Sequence, residues 1–262
     1  MSNSSMLSNT DKILQLGYSL LYVDQTSSTM DLAFEQYDLK SKLPLWVVAD
    51  KQTSGRGRFG NQWHDSGNNL SVTLALSTNV AIDKISLLGF VAGIALVDTI
   101  KLILSKNNIA NFGDIKLKYP NDVLIDGKKI SGILLETRTD DIGYKVALGI
   151  GVNIGSFPEK MPYLVSCLND LYNINIHMNE FFIVLAEQWA YYFDKFNLEH
   201  DLEWLRVKWQ EYAFAVGEKI LLNGDSLLFK GINQDFLPIL IDKNKNVIIY
   251  KSGNLDWSPV RK

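Results

Sequence analysis

Apolar residues recur along this chain in short runs typical of β-strands and in longer runs typical of helices. The Asp126-Gly127 pair is a strong hairpin signal between two of the strand-like runs. Adjacent hairpins favour antiparallel pairing, so the pattern predicts an α+β fold with a mixed, largely antiparallel central sheet flanked by helices. Strands are predicted at 20–23, 45–49, 70–76, 115–119, 123–125, 130–136 and 144–150, and helices at 30–37, from Asp83 to about 104, and as a pair over 178–214.

The segment 85–104 is the only long apolar stretch, and it raises the question of a membrane span. Asp98 and Lys101 interrupt it, and each would cost roughly 2.5–3.5 kcal/mol near the centre of a bilayer. We therefore expect a buried helix that begins near Asp83, with Asp83 as its N-cap, and no membrane association.

The last third of the chain changes character twice. Aromatic residues at helical spacing fill 178–214, and they are expected to be core residues because the Arg and Lys that accompany a base-stacking surface are scarce there. Past Gly217 short strands and turns at 223–224, 242–246 and 252–253 predict a small β-barrel. We predict two domains, a catalytic domain at 1–213 and the small barrel at 214–262.

Composition and charge limit the classes of function. The 262 residues are 47% hydrophobic and carry a net charge of −3, so an anion site must be a local cluster of cations and nucleic acid is not an expected partner. Cys167 is the single cysteine, which indicates a reducing compartment and a small core residue. The N-terminus lacks the pattern of a secretory signal, so the expected location is the cytoplasm. Too few residues precede the first strand for a helix-turn-helix module, so DNA binding is not expected.

The sequence GRGRFG at 55–60 is the first candidate site. Its glycines have the spacing of a dinucleotide-binding fingerprint, but that fingerprint needs a helix directly after the loop. Residues 61–69 instead carry turn-forming residues, which disfavours a nicotinamide-dependent enzyme. Arg56 and Arg58 offer planar donors that suit carboxylate and phosphate oxygens.

A second cationic segment follows at 116–132. Strand alternation places Lys116 and Lys118 on one face, and Pro120 ends the strand so that Asn121 and Asp122 are expected in its turn. This pattern also fits a solvated lysine face. Together with the arginines it suits a reaction between two anions, in which cations offset the repulsion and Asp122 holds Mg²⁺ or orients an amine. Carboxylate activation by adenylation has these needs.

Three segments carry a family resemblance. GRGRFGNQW at 55–63, KYPNDVLIDGKKISGILLE at 118–136 and ALGIGVNI at 147–154 resemble, in order and spacing, the signature segments of biotin protein ligases. The resemblance extends from Ser28-Thr29 to Asn153, and the tail from Gly217 is similar to the small C-terminal domain of that family. It implies the class II synthetase-like fold of biotin and lipoate ligases with an SH3-like barrel, in a monofunctional form without a DNA-binding domain.

The family implies a two-step reaction. Biotin and ATP form biotinyl-5′-AMP, and a lysine on the biotin carboxyl carrier domain of acetyl-CoA carboxylase then takes the biotinyl group. Magnesium is expected with the ATP, and a homodimer is plausible by resemblance. The expected enzyme is thus a biotin–[acetyl-CoA-carboxylase] ligase, with a lipoate-type ligase and a noncatalytic biotin-binding regulator as alternatives.

Matching motif positions imply a set of functional residues. The implied biotin contacts are Ser28, Thr29, Met30, Gln52, Gly55, Arg56, Gly57, Arg58, Lys129 and Gly132. The implied contacts to ATP and the adenylate are Arg56, Arg58, Trp63, Lys118, Asn121 and Asn153. The implied catalytic residues are Arg56, Arg58, Lys129 and Asp122, with Asp122 as the candidate that positions the acceptor lysine or accepts its proton.

The chain departs from the family pattern at a few positions. Asn61 stands where an arginine is usual, and Tyr119 replaces a common tryptophan. His64-Asp65 stands where the family often has Ser-Pro after the tryptophan, and the C-terminal motif at 253–258 is also altered. These positions bear on how the arginine-containing loop closes and how the tail reaches the nucleotide.

Overall fold

The computed structural model describes residues 10–65, 67–78, 82–140, 143–199, 201–251 and 257–259. Nine strands precede the long helical region: β1 (Ser19–Thr26), β2 (Leu45–Gln52), β3 (Gly55–Arg56), β4 (Gln62–Trp63), β5 (Leu70–Thr78), β6 (Ile115–Lys118), β7 (Asp122–Ile125), β8 (Lys128–Asp140) and β9 (Gly143–Val152). Five more follow it: β10 (Lys219–Leu222), β11 (Asp225–Ile232), β12 (Pro238–Ile241), β13 (Val247–Ile249) and β14 (Trp257–Pro259).

The central sheet has seven strands in the order β1-β2-β5-β9-β8-β7-β6. Only β1 and β2 pair in parallel, and every other neighbouring pair is antiparallel. The hairpin between β7 and β8 turns at Asp126 (φ 49°) and Gly127 (φ 74°), the left-handed pair that a type I′ turn requires. The predicted α+β class with a largely antiparallel sheet is confirmed.

After a short helical segment at 10–15, six further α-helices lie in the described part of the chain: α1 (Thr29–Asp38), α2 (Ile82–Ile85), α3 (Leu88–Lys106), α4 (Leu168–Tyr172), α5 (Met178–Leu198) and α6 (Glu203–Tyr212). The prediction of one helix capped by Asp83 is wrong, because Asp83 lies inside α2 and the chain kinks before α3. At the kink the Ser86 hydroxyl donates to the Asp83 carbonyl at 2.6 Å, a local bond that competes with helix continuation.

The helical stretch 82–106 is apolar enough to cross a membrane, with a mean hydropathy of 2.1 over its most apolar window. That window is 78% buried within the structure, mainly against the sheet and α5. It is therefore packed as a core helix, as predicted.

Aromatic residues of α5 and α6 complete the main core. Trp189 is fully buried and meets Trp46 of β2 edge to face at 6.4 Å, and Trp209 is 1% exposed. Cys167 is also fully buried, and burial raises the pKa of its thiol. Both sets of residues thus have the structural role predicted for them.

The C-terminal strands form a five-stranded antiparallel sheet in the order β13-β12-β11-β10-β14. The predicted turn at 223–224 is confirmed, since Asn223 (φ 52°) and Gly224 (φ 86°) join β10 to β11. The predicted turn at 252–253 lies outside the described residues. A backbone bond from Phe214 to the Leu117 carbonyl at 2.9 Å ties the start of this region to β6. The division into domains at 213/214 stays a prediction.

Candidate active site

A cleft of about 1040 Å³ lies across one end of the central sheet. Its walls come from the loop after β2, the start of α1, the β6–β7 turn and the adjoining parts of β8 and β9. The sequence segments 55–63 and 118–136, which are far apart in the chain, therefore meet at one site. Most of the implied ligand contacts line this cleft: Ser28, Thr29, Met30, Gln52, Arg56, Gly57, Arg58, Trp63, Lys118, Asn121, Asp122, Lys129 and Gly132.

The arginine loop, residues 53–64, is a small hairpin rather than an irregular loop. β3 pairs with β4, and a 3₁₀ turn at Arg58–Gly60 joins them, with Phe59 at φ 57° and Gly60 at φ 77°. Gly57 donates its N–H to the Asn61 carbonyl at 2.7 Å and tightens the tip. The described residues between this turn and β5 form β4 and turns, so the helix that a dinucleotide fingerprint needs is missing from that stretch, as predicted.

Lys129 and Asp122 form the centre of the cationic wall. Their side chains are paired at 2.8 Å and are only 18% and 19% exposed. Asp122 is the first residue of β7 and pairs in register with Gly132, so its predicted place within the turn is wrong by one position. The bulge in β8 at this point turns Lys129 toward the cleft.

Arg58 stands beside this pair. Its Nη1 donates to the Asn121 side-chain oxygen at 3.3 Å, while the Asn121 amide nitrogen donates to the Ile133 carbonyl at 2.9 Å. Burial lowers the pKa of Arg58, an effect that an arginine tolerates without losing its charge. The tip of the arginine loop is thus attached to the β6–β7 turn.

Arg56 points to carboxylates that the sequence did not indicate. Its guanidinium contacts Asp31 of α1 at 2.9 Å and Glu136 of β8 at 3.1 Å. All three side chains are about 36–41% exposed, so the pairs are partly screened by solvent. Arg56 therefore bridges α1 and β8 across the apolar end of the cleft.

Hydroxyl and amide groups form the opposite wall. The Gln52 side-chain oxygen accepts from the Thr29 backbone N–H at 2.7 Å and from its hydroxyl at 3.0 Å. Ser28 occupies the N-cap position of α1 but makes no side-chain cap bond, and its buried Oγ has no partner among the described residues. A buried hydroxyl without a partner is costly, and this one belongs to a residue that lines the cleft.

Glycines make room for an indole at the floor of the cleft. Gly132 and Gly151 are neighbours in register, and Trp63 lies over both. A Cβ at Gly151 would come within 2.3 Å of the Trp63 ring, and one at Gly132 within 3.3 Å. These two strands therefore need glycine where the tryptophan packs.

The segment 161–164 closes one side of the cleft and was not predicted from the sequence. Lys129 donates its backbone N–H to the Leu164 carbonyl at 2.9 Å, and the Tyr163 ring lies 5.5 Å from the Lys129 Nζ. Also not predicted was Leu221 of β10, through which the C-terminal sheet reaches the cleft. No motif marks these residues, because their role depends on contacts across distant parts of the chain.

Two implied residues lie behind the lining rather than in it. Asn153 is 2% exposed and donates its side-chain amide to the Ser166 carbonyl at 3.1 Å. Gly55 packs against Gln52 and Trp63, where a Cβ would come within 2.6 Å of either. Both residues support the cleft walls.

The donor set does not fit a metal ion held by the protein. Asp122 is the one carboxylate that lines the cleft among the described residues, and it already faces Lys129 at 2.8 Å. No group of three His, Cys, Asp or Glu side chains is gathered anywhere in the described chain. Magnesium prefers several oxygen ligands, so we derive no step through a protein-bound metal.

Comparison with known proteins places this geometry in a family. The model of the biotin/lipoate A/B protein ligase family matches residues 22–153, half of the chain. The bifunctional ligase/repressor BirA of Bacillus spizizenii is 28% identical over 222 residues, which cover 80% of this chain and 65% of that protein. A biotin–[acetyl-CoA-carboxylase] ligase of Paracoccus denitrificans is 38% identical over 115 residues, 44% of this chain and 46% of that protein. The chain thus spans less than two thirds of the length of these relatives.

The fold is also found among solved structures. The biotin protein ligase of Aquifex aeolicus in complex with biotin and ATP matches with a TM-score of 0.74 at 22% identity, covering 93% of this chain and 99% of that one. At this identity the likeness shows the fold alone. The family match spans the first two signature segments, the third as far as Asn153, and most of the residues that line the cleft, and the chain therefore belongs to the biotin/lipoate A/B protein ligase family.

Proposed function

We propose that this protein is an ATP-dependent biotin protein ligase. The observation that carries the proposal is the Lys129–Asp122 pair at 2.8 Å, set beside Arg58 in a cleft whose other end is apolar. A cleft with one cationic and one apolar end suits the condensation of a triphosphate with an acid that has an apolar body.

The apolar end is assigned to biotin. Met30, Leu134 and Gly149 meet there, with the Met30 sulfur 2.9 Å from where a Gly149 Cβ would be. Ser28, Thr29 and Gln52 supply polar groups at its rim. We assign Gly55, Gly57, Gly132 and the two arginines of the loop to the same substrate, because they surround the passage from this end to Lys129.

The cationic end is assigned to ATP. Lys118, Asn121 and Trp63 line it together with Arg58, and we assign Asn153 to the support of this wall. The biotin carboxylate attacks the α-phosphorus, a new P–O bond forms, and the bond to pyrophosphate breaks. Lys129, Arg58 and Arg56 balance the charge that gathers on the phosphoryl oxygens. Any magnesium ion enters with the ATP substrate.

The second step transfers the biotinyl group to a lysine of a biotin carboxyl carrier domain, for which acetyl-CoA carboxylase is the proposed source. The amine attacks the acyl carbon, an amide bond forms, the bond from the acyl carbon to AMP breaks, and Asp122 accepts the amine proton. We assign Asp122 the positioning of this amine, because it is the carboxylate of the cationic wall. A cytoplasmic location and a homodimer are part of the same proposal.

Intact-mass measurement tests the proposal directly. The protein is incubated with MgATP and a biotin carboxyl carrier domain, with biotin in one arm and lipoate in the other. We expect the carrier to gain one biotinyl group only when biotin and ATP are both present. A gain with lipoate alone would reassign the substrate, and no gain in either arm would overturn the ligase function.

Ser28→Ala tests the assignment of the unpartnered hydroxyl. We expect the KM for biotin to rise by about tenfold, because one hydrogen bond to the ligand is lost. The thermal unfolding temperature should not fall, since Ser28 Oγ has no bond within the described protein whose loss would destabilise the fold. Ser54→Ala, at an exposed serine of the arginine loop, is the matched control and should leave the KM for biotin unchanged. A fall in unfolding temperature without a change in KM would support the N-cap role instead.

A further inference from the structure

Asp65 is a departure from the family pattern that the proposed chemistry does not use. It is the second residue after β4 and lies outside the residues that line the cleft. Its side chain is nevertheless half-buried and accepts three hydrogen bonds. Two of these bonds come from Gln52 and Ser71, which lie on two different strands of the central sheet.

The three donors come from both sides of the arginine loop. Asp65 Oδ2 accepts from the Gln52 backbone N–H at 3.1 Å and from the Ser71 hydroxyl at 3.0 Å. Its Oδ1 accepts from the Gly67 N–H at 3.0 Å. Gln52 is the last residue of β2 before the loop, and Asp65 is the first residue after it. One carboxylate therefore joins the two ends of the loop, residues 52 and 65, to each other and to the buried Ser71 of β5. We refer to these joined ends as the neck of the loop.

The other side of the loop neck is attached to the segment before α1. Thr53 donates to the Thr26 carbonyl at 3.0 Å, and Ser54 donates to the Ser27 carbonyl at 2.8 Å. Gln52 is thus held by its backbone on Asp65 and by its side-chain oxygen on Thr29. This leaves the Gln52 side-chain nitrogen on the Gly55 side, where the loop begins to cross the cleft.

We propose that Asp65 is a positioning residue whose carboxylate closes the neck of the arginine loop and fixes Gln52 for substrate binding. Asp65 does not touch the reacting atoms, so it acts on the binding of biotin and on the order of the loop rather than on the chemical step. The effect of Asp65 on biotin binding rests on the proposed ligase function. Its effect on the order of the arginine loop is independent of that function.

Amide hydrogen exchange of the full-length, ligand-free protein tests the loop directly. In Asp65→Ala we expect the amides of residues 53–64 to exchange about tenfold faster, because the loss of a charged acceptor opens the neck. Asp65→Asn keeps one side-chain oxygen and replaces the other with an amide donor. Its loop amides should therefore exchange faster than those of the wild type and more slowly than those of Asp65→Ala. If Asp65→Ala does not fold, Asp65→Asn is compared with the wild type instead.

Asp242 supplies a matched control. Its carboxylate accepts three hydrogen bonds at 2.8 Å, from the backbone N–H groups of Asn244 and Asn246 and from the side-chain amide of Asn246, and it braces a turn of the C-terminal sheet. Asp242→Ala therefore removes an equally bonded aspartate that does not line the cleft. We expect faster exchange at 243–246 and unchanged exchange at 53–64.

Kinetics of biotin-dependent ATP–pyrophosphate exchange supply the second measurement. Asp65→Ala should raise the KM for biotin about tenfold while kcat changes by less than about threefold. Unchanged loop exchange in Asp65→Ala, or a loss carried by kcat alone, would overturn the proposal. A wild-type protein without any pyrophosphate exchange would overturn the ligase function and leave the hydrogen-exchange result to decide the role of Asp65.

Discussion

Lys129→Ala should lower biotin-dependent ATP–pyrophosphate exchange by on the order of a hundredfold or more. Two physical effects combine in this loss. The variant lacks the ammonium that balances charge on the α-phosphate, and it leaves the half-buried Asp122 carboxylate unpaired where the phosphates must bind. Removing one member of a desolvated pair costs more than the pair contributes, so this is the largest effect we expect.

The two effects can be separated by a second substitution. Asp122→Asn in the Lys129→Ala background removes the unpaired charge, so the double variant should exchange pyrophosphate several-fold faster than Lys129→Ala alone, about threefold to tenfold. Lys128→Ala is the matched control, because Lys128 is adjacent in β8 but does not line the cleft. Exchange near the wild-type rate in Lys129→Ala would remove Lys129 from the mechanism.

Local sequence signals predicted the parts of this fold that depend on neighbouring residues. Asp126-Gly127 and Asn223-Gly224 form turns because both positions of each pair adopt positive φ, which these residue types tolerate. The aromatic helices were predicted as core because their spacing is helical and cations are scarce. The kink at Ser86 was not predicted, since an apolar pattern continues through it and one side-chain bond to Asp83 accompanies the break.

Most residues of the candidate site were predicted from sequence motifs, but only some of their contacts were. Motif matching brought the arginine loop and the lysine strand to one place, and the cleft contains both. The partners of Arg56 were missed, because Asp31 and Glu136 are separated from it by tens of residues and reach it only through the packing of α1 on the sheet. Periodic patterns in the sequence do not reveal contacts between segments so far apart. The same holds for Tyr163 and its contact with Lys129.

The role of His64-Asp65 shows what a departure from a motif can mean. The sequence indicated only that loop closure differs from the family pattern. The structure places Asp65 between Gln52 and Ser71, where three donors converge on it. His64 lines the cleft and is exposed. A substitution that looked like a loss of family character thus supplies its own anchor for the loop.

The second large effect is expected from Gly151→Ala, which should raise the KM for ATP by between about tenfold and a hundredfold. A Cβ at this position would lie 2.3, 2.6 and 2.8 Å from three atoms of the Trp63 indole. The indole is a rigid ring, so it cannot relieve this overlap by rotating a flexible end, as a long aliphatic side chain can. Trp63 must move, and β3 moves with it because Gly55 pairs with Trp63 in the small hairpin. The cationic end of the cleft therefore loses its shape.

Gly149→Ala is the matched control on the same face of β9. Its Cβ would meet the sulfur of Met30 at 2.9 Å, the mobile part of a flexible side chain, so the strain is smaller and falls at the apolar end. We expect Gly149→Ala to raise the KM for biotin and to leave the KM for ATP within about threefold of wild type. The two variants should thus separate the two substrates along one strand. A KM for ATP that stays at the wild-type value in Gly151→Ala would mean that Trp63 is not fixed against β9 when nucleotide binds, and the assignment of the cationic end would then fail.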